Sequence, residues 1–421
     1  MGFIGGDLQE RFVERIRGVD AARLLAVPID VGKASAAAMV CDFWGEVVTP
    51  PFTFPLTGPG VAVLASAVAK AEALRDAVWV RAGLEQAGHY HWTLLARLPQ
   101  VGIEVVLLNP AQVKENRNQS LLRSLKSDAT DLGAMAELLV RGKGRPAVPL
   151  DDAMATQAAL VAHRARKVKA RSTVKNHIHA SLDLVFPGLS GCFSDLLDTK
   201  LGRLLLDEQM GPDRIRRLGT DRLRAFCAHR GVMVQRGKAT EIVEAAKGTL
   251  SLAPQVGQVH ADVLASDVAL LGTLDRAIAA AEEGLGEVLG RTPAGILTTM
   301  PRVSIVRASS YGAALGDPSR FRTAAQVYRS SGLVPRLYES AGRRRSHTSI
   351  SREGKVELRA AIIELGRALR QGDPDFARYA EELAARGKAS GIIACAVGHR
   401  ANRVAFALVR DQVPFDPTRW R

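Results

Sequence analysis

Five residues of this 421-residue chain have the types and settings for phosphoryl chemistry: four carboxylates in its first third and one serine near its end. Asp30 ends the apolar run Arg23–Gly32. Glu85 ends a second one, "DAVWVRAGLE". Asp128 and Asp131 form an i,i+3 pair in "KSDATDLGAM". Strand-terminal carboxylates project to a sheet edge, where ligands bind, and on a helix an i,i+3 pair shares one face. Each acid also has an ordinary reading. An aspartate after a strand is a turn former, and Asp128 suits a helix cap with acids favoured in the first turn. Capping does not account for four acids at strand ends and a helix start within one α/β segment. Gathered carboxylates repel and raise one another's pKa. A divalent cation removes that cost, and an all-oxygen set favours Mg²⁺ or Mn²⁺ over zinc. Two such ions about 3.5–4 Å apart clamp a phosphodiester for in-line displacement.

The serine is Ser340, in "LVPRLYESAGRRRSHTSISREGK". Arg336, Arg343, Arg344, Arg345, Arg352 and Lys355 surround it. Guanidinium groups bind phosphate oxygens bidentately and stabilise charge growing on a phosphoryl group. That suits phosphoryl transfer rather than acyl transfer. Two readings stay open on these residues alone: a phosphate grip with a passive serine, or a nucleophile held among cations. Ser346, Ser349 and Ser351 are equally well placed, and His347 has no recognisable partner for a serine-protease arrangement.

The elements that must position these groups read as three segments. Residues 20–148 alternate β-branched runs with helical ones, a sheet with helices on its faces. Two strands flank a turn at Trp44-Gly45, a helix covers Gly60–Arg75, and strands end at Glu85 and near Pro110. Asn116–Asp128 reads as a polar, basic loop, and Lys143–Asp152 as a boundary. Residues 149–290 turn helical. A long basic helix stops at Pro187-Gly188, "GPDRIRRLGTDRLRAFCAHRG" reads as two short helices, and Val259–Gly290 puts Val268, Leu271, Leu274, Ile278 and Leu285 near one face. That stripe suits a coiled-coil arm, a helical hairpin or a plain bundle helix. Residues 291–416 form a last helical unit carrying Ser340.

Lys and Arg number 57 against 43 Asp and Glu, a net charge of +14 and a pI near 10.0, so a polyanion is the natural partner. Aromatics are only 5%, which points away from stacking platforms for single strands and toward phosphate contacts with a duplex or a folded RNA. Cys41, Cys192, Cys227 and Cys395 lie far apart with no CxxC pair, which argues against a disulfide framework and a zinc cluster. No apolar run reaches a membrane span, and the start has no leader-like apolar stretch. The expected location is the cytoplasm.

Several of these stretches carry a resemblance. "PIDVGKAS", "GLEQAGHYHW", "LLNPAQVKENR" and "KSDATDLGAMAELL" resemble the DEDD transposase family of insertion sequences. So do "LGDPSRFRTAAQVYRSSGLVPRLYESAGRRRSHTSISREGKVELRAAIIELG" and "ARGKASGIIACAVGHRANRVAFALV". The likeness covers roughly 23–145 and 290–416. It implies a ribonuclease-H/RuvC-like first domain, with Asp30, Glu85, Asp128 and Asp131 as catalytic metal ligands. It also implies a C-terminal transposase domain with Ser340 as the catalytic serine, joined to DNA as a phosphoserine. Expected partners are double-stranded DNA, a structured guide RNA encoded by the element, and further copies of the chain, as a dimer or tetramer. The middle is longer than a minimal family member around 186–255. Where the family often has a Pro-Gly-Ile-Gly turn, this chain has "MPRVSIVRASS"; without the glycines, Arg302 and Arg307 are the expected phosphate contacts. Rival readings are a metal-only nuclease or junction resolvase, a DNA invertase of the same family, and a non-catalytic nucleic-acid-binding protein.

Overall fold

The computed structural model describes residues 7–85, 90–120, 128–147, 150–250, 252–336, 339–340, 343–344 and 349–420. For 7–10, 120, 128, 339, 340, 343, 344 and 420 it describes the backbone only. Two compact units divide at Pro149/Leu150.

The first unit opens with helix α1 (Asp7–Ile16), then β1 (Leu24–Val31), β2 (Ser35–Asp42), β3 (Val47–Pro55), α2 (Gly58–Arg75), β4 (Trp79–Glu85), α3 (His91–Arg97), β5 (Val105–Leu108), α4 (Pro110–Ser120), α5 (Asp128–Val140) and the short β6 (Arg145–Pro146). The sheet order is β3-β2-β1-β4-β5-β6. β1, β2 and β3 are antiparallel neighbours, whereas β4 and β5 run parallel to β1. β1 is central and apolar on both faces, as a strand covered by helices must be. Pro28 has no N–H to give, and it falls between the Ala26–Cys41 and Ile29–Ala38 pairs of the β1–β2 ladder, which keep one register. The parallel ladder to β4 continues through Pro28 and Gly83. One sheet face buries Leu25, Val27 and Ile29 with Leu64 and Val68 of α2. The other buries Leu24 and Ala26 with Leu132, Met135 and Leu139 of α5 and Phe12 of α1.

The expected loop over Asn116–Asp128 needs correction, because α4 is helical through Ser120. Asn109 accepts from the Ala111 amide at its start. Buried Asn116 donates to the Ala134 carbonyl at 2.9 Å, so tertiary packing overrides its weak helix propensity. Helix α1 and the edge strand β6 have no counterpart among the expected elements.

The second unit is helical: α6 (Asp152–Val185), α7 (Lys200–Asp207), α8 (Pro212–His229), α9 (Arg236–Gly248), α10 (Pro254–Leu289), α11 (Ile305–Leu315), α12 (Ala324–Ser330), α13 (Val356–Gly372), α14 (Pro374–Ala385) and α15 (Ser390–Asp411), with a two-stranded hairpin, β7 (Glu339–Ser340) and β8 (Arg343–Arg344), between α12 and α13. α6 and α10 form an antiparallel pair, each about 50 Å long at 1.5 Å per residue. Gln157 donates to Thr292 at one end. Arg164–Glu282 at 2.7 Å and Arg171–Asp275 at 2.5 Å follow along the seam. The α7, α8 and α9 segment closes the far end around its own core of Leu196, Leu205, Ile215, Leu223 and Ile242. α8 kinks at Gly219 (φ +65°), giving the two short helices expected there.

The other core of this unit gathers Tyr311 of α11, Val327 of α12, Ile362 and Leu365 of α13, Phe376 of α14 and Phe406 of α15. Burial pushes the Tyr311 phenol upward. Its hydroxyl donates to Asn402 at 3.0 Å, and Asn402 donates to the Ala324 carbonyl. That chain ties α12 to α11 and α15. Among the described residues one helix, Ser390–Asp411, is long and apolar enough to cross a membrane, and 56% of that window is buried against the rest of the chain. All four cysteines are free thiols, and burial followed by the Asp42 charge pushes Cys41 up to about 12.

Candidate active site: strand-end acids and a serine hairpin

Parallel pairing brings the first two acids together. Ile29 of β1 pairs with Leu84 of β4. One position further along each strand stand Asp30 and Glu85, both half-buried. Since Ile29 and Leu84 face the α2 side, alternation turns Asp30 and Glu85 toward the α5 side. α5 runs antiparallel to these strands. Its end lies low, because Gly142 packs on Phe12, which contacts Trp79 at the start of β4. A Cβ on Gly83 would lie 2.7 Å from the Leu139 side chain, so this glycine lets α5 sit close to the sheet. Asp131 is eight residues before Leu139, about 12 Å up the helix. Glu85 is two residues beyond Gly83, about 6.6 Å up the strand. The first turn of α5, with Asp128 and Asp131, therefore lies at the same end of the sheet as Asp30 and Glu85.

Asp131 is 7% exposed and is ion-paired with Arg117 of α4. Arg117 has no place among the sequence-derived site residues, because its segment reads as a loop. Among the described residues no three Asp, Glu, His or Cys side chains gather closely enough to hold an ion. The side chain of Asp128 lies outside the described residues. Register and helix placement bring Asp30, Glu85 and Asp131 to one end of one sheet face, without closing a shell around a point. The donor chemistry, carboxylate oxygen throughout, fits a hard divalent cation.

The serine sits on a β-ribbon rather than a loop. Ser340 pairs with Arg343, and Glu339 with Arg344. The side chains of Ser340, Arg343 and Arg344, and Arg345 altogether, lie outside the described residues. At the root, Pro335 bridges Ile350. The Arg336 amide donates to Ser349 O at 3.0 Å, Ser351 N to Val334 O at 2.8 Å and Arg352 N to Gly332 O at 3.0 Å. Ser351 spends its hydroxyl on Gly332 O. Lys355 donates its ammonium to Ala314 O, in the last turn of α11, at 3.0 Å. Arg336 and Arg352 are exposed at the root.

The "MPRVSIVRASS" segment keeps a tight turn despite its missing glycines. Arg302 adopts φ +57°, the left-handed region where glycine is usual. Ser304 caps α11 by accepting from Arg307 N. Arg307 has partners within the chain: its guanidinium donates to Arg302 O at 3.2 Å and faces Glu364 at 3.7 Å, so it braces the turn.

Comparison with known proteins puts both halves in one class. A DEDD-type IS110 transposase family model matches residues 27–187, and the model described as "Transposase IS116/IS110/IS902 family" matches 294–381. The first span contains all four acids, and the second contains Ser340 and its cations. Among curated proteins, the chain is 28% identical over 324 residues to the insertion element IS116 uncharacterized 44.8 kDa protein of Streptomyces clavuligerus, covering 76% of this chain and 77% of that one. It is 28% identical over 129 residues to the pilin gene-inverting protein of Moraxella bovis, 29% of this chain and 38% of that one. It is 27% identical over 122 residues to the transposase for insertion sequence element IS1328 of Yersinia enterocolitica, 28% and 36% of the two chains. The class is that of enzymes that cut and rejoin DNA, transposases and recombinases. The chain belongs to the IS110/IS116 transposase family.

Proposed function

We propose that this transposase moves its insertion sequence through a phosphoserine intermediate on Ser340, with Mg²⁺ or Mn²⁺ at the acidic end of a RuvC-like sheet. The observation that carries the reading is the placement of Asp30 and Glu85 side by side at the ends of parallel strands, under the first turn of α5. The sheet order supports the ribonuclease-H-like reading: three antiparallel strands, then two parallel ones. Asp30, Glu85, Asp131 and Asp128 would hold the ions, which supply charge neutralisation at the phosphodiester. Ser340 Oγ attacks phosphorus, its proton departs, the Oγ–P bond forms and one bridging P–O bond of DNA breaks to leave a DNA hydroxyl. A second DNA hydroxyl then attacks the same phosphorus and frees the serine. Bond energy is retained throughout, so no nucleotide cofactor is needed. Arg336, Arg343, Arg344, Arg345, Arg352 and Lys355 supply the cationic surroundings of that phosphate. Lys355 also anchors the root.

A structured RNA encoded by the element is the proposed guide, consistent with the net charge of +14. Its test is to purify the intact chain, extract bound nucleic acid and sequence it. The expected result is one RNA mapping beside the gene, whereas random cellular RNA or none would sink the guide reading. The enzyme works in the cytoplasm, on the DNA there.

A homo-oligomer is the proposed working form. On the face of α10 away from α6, Val256, Val259, Val263, Ser266, Leu270 and Thr273 recur at alternating steps of three and four, the seam of a helix-to-helix contact. Val259 is 60% exposed and Leu270 46%. An antiparallel second copy that sets position 263 against 273 also sets Asp262 against Arg276. Leu270→Lys is expected to convert a sedimenting dimer to monomer at micromolar concentration. Asp262→Arg should weaken the dimer, and adding Arg276→Asp should restore it. A dimer indifferent to all three changes would place the contact elsewhere.

A further inference from the structure

We infer that Arg359 is the positioning residue of the serine hairpin, an inference that rests on Ser340 as nucleophile. Arg359 is the fourth residue of α13, whose next turns lie in the core through Ile362 and Leu365. Its Nε donates to Ser331 O at 3.0 Å and its Nη2 to Arg352 O at 3.0 Å. These carbonyls flank the hairpin: Ser331 precedes its first strand and Arg352 follows its second. One rigid, planar guanidinium thus clasps both legs.

The root it holds has little slack. Ser331 is fully buried, and its hydroxyl donates to Tyr328 O at 2.6 Å. Gly332 takes φ +70°, and a Cβ there would lie 2.9 Å from the backbone of Arg352. A Cβ on Gly354 would lie 2.3 Å from Ser330 O. Arg352 itself is held at φ +57°, a strained geometry that surrounding contacts must maintain. The hairpin therefore rises from a fixed root on a core helix, and Ser340 is four residues from its first leg's last root contact, at Arg336. Phosphoryl transfer depends on placement of the nucleophile, and a displacement of about 1 Å costs about a hundredfold in rate.

Charge alone predicts something different. If Arg359 gripped phosphate, Arg359→Lys would keep the rate and Arg359→Ala would lose DNA binding. As a clasp, Arg359 cannot be replaced by lysine, whose single ammonium does not reproduce a two-pronged planar donor. The experiment uses the intact chain with its copurified nucleic acid and a labelled duplex carrying the element's own end. Arg359→Ala is expected to slow covalent adduct formation about a hundredfold, and Arg359→Lys about tenfold. Duplex affinity should stay within about twofold. Hydrogen exchange at the Arg336, Ser351 and Arg352 amides should rise at least about tenfold, with α15 unchanged. Adduct formation at the wild-type rate in Arg359→Ala overturns the inference, as does a loss of affinity that Arg359→Lys restores. Ser340→Ala, run in parallel, should lose the adduct with hairpin exchange unaltered. If Ser340→Ala still forms the adduct, the nucleophile reading fails and the exchange data decide alone: unchanged protection in Arg359→Ala then overturns the clasp.

Discussion

Ser340→Ala is expected to abolish the covalent protein–DNA adduct and to reduce recombination by about a thousandfold or more, while duplex binding stays within about twofold. Removal of a covalent nucleophile eliminates the step it carries rather than weakening it. The cations that surround the phosphate are untouched, so affinity has no reason to change. The measurement is denaturing electrophoresis of labelled DNA, followed by peptide mapping of the phosphoserine in the wild-type chain. An adduct mapping to Ser346, Ser349 or Ser351 would move the nucleophile. Of these, Ser351 already commits its hydroxyl to Gly332 O, which makes it the poorest rival. Cleavage without any adduct in the wild-type chain would favour a metal-only nuclease.

Asp30→Asn is expected to lower Mg²⁺-dependent DNA cleavage at least about a thousandfold. Metal-assisted charge neutralisation contributes several kcal/mol at the transition state, and each 1.36 kcal/mol is tenfold in rate. The change keeps the shape of the side chain and removes its charge. Asp131→Asn is a less clean test. Asp131 is paired with Arg117, and their side chains are 10% and 21% exposed. Losing that pair leaves a partly buried guanidinium uncompensated, at about 1–3 kcal/mol once its partial exposure is discounted. A fall in activity there would mix chemistry with stability. The wild-type chain should stop cleaving in EDTA and recover with added Mg²⁺. Cleavage by Asp30→Asn at the wild-type rate in the same buffer would make the acid structural.

Much of this arrangement was legible one strand at a time. β-branched runs marked β1 and β4, and Asp30 and Glu85 could be placed at their ends. Their adjacency could not, because it depends on a parallel pairing between segments more than fifty residues apart, which local periodicity does not encode. Arg117 was hidden for a related reason. The asparagines of α4 read as loop formers, and the helix persists because Asn116 is satisfied by Ala134 O. The hairpin escaped notice because two-residue strands rich in arginine show no alternation. Arg359 looked like any helix-surface arginine, since its acceptors are backbone carbonyls, to which every residue type contributes alike. The close crossing of α13 and α15 was equally silent. A Cβ on Gly366 would lie 2.9 Å from Gly398 N, and neither glycine announces its partner.

The helical unit keeps its two cores apart, with the α6–α10 pair running between them. The distal one lies wholly within residues 174–274, largely in the stretch 188–293 that neither family model matches. A tip that folds around its own centre behaves as an exchangeable cassette. Lineages can enlarge, trim or replace it, or change the arm by whole helical turns, without disturbing the packing beneath the serine hairpin. Divergence of such elements can therefore be rapid in what the arm engages and slow in how strands are joined. The natural splice points for a graft lie on the α6–α10 pair outside that core, before Ala170 on α6 and after Leu274 on α10.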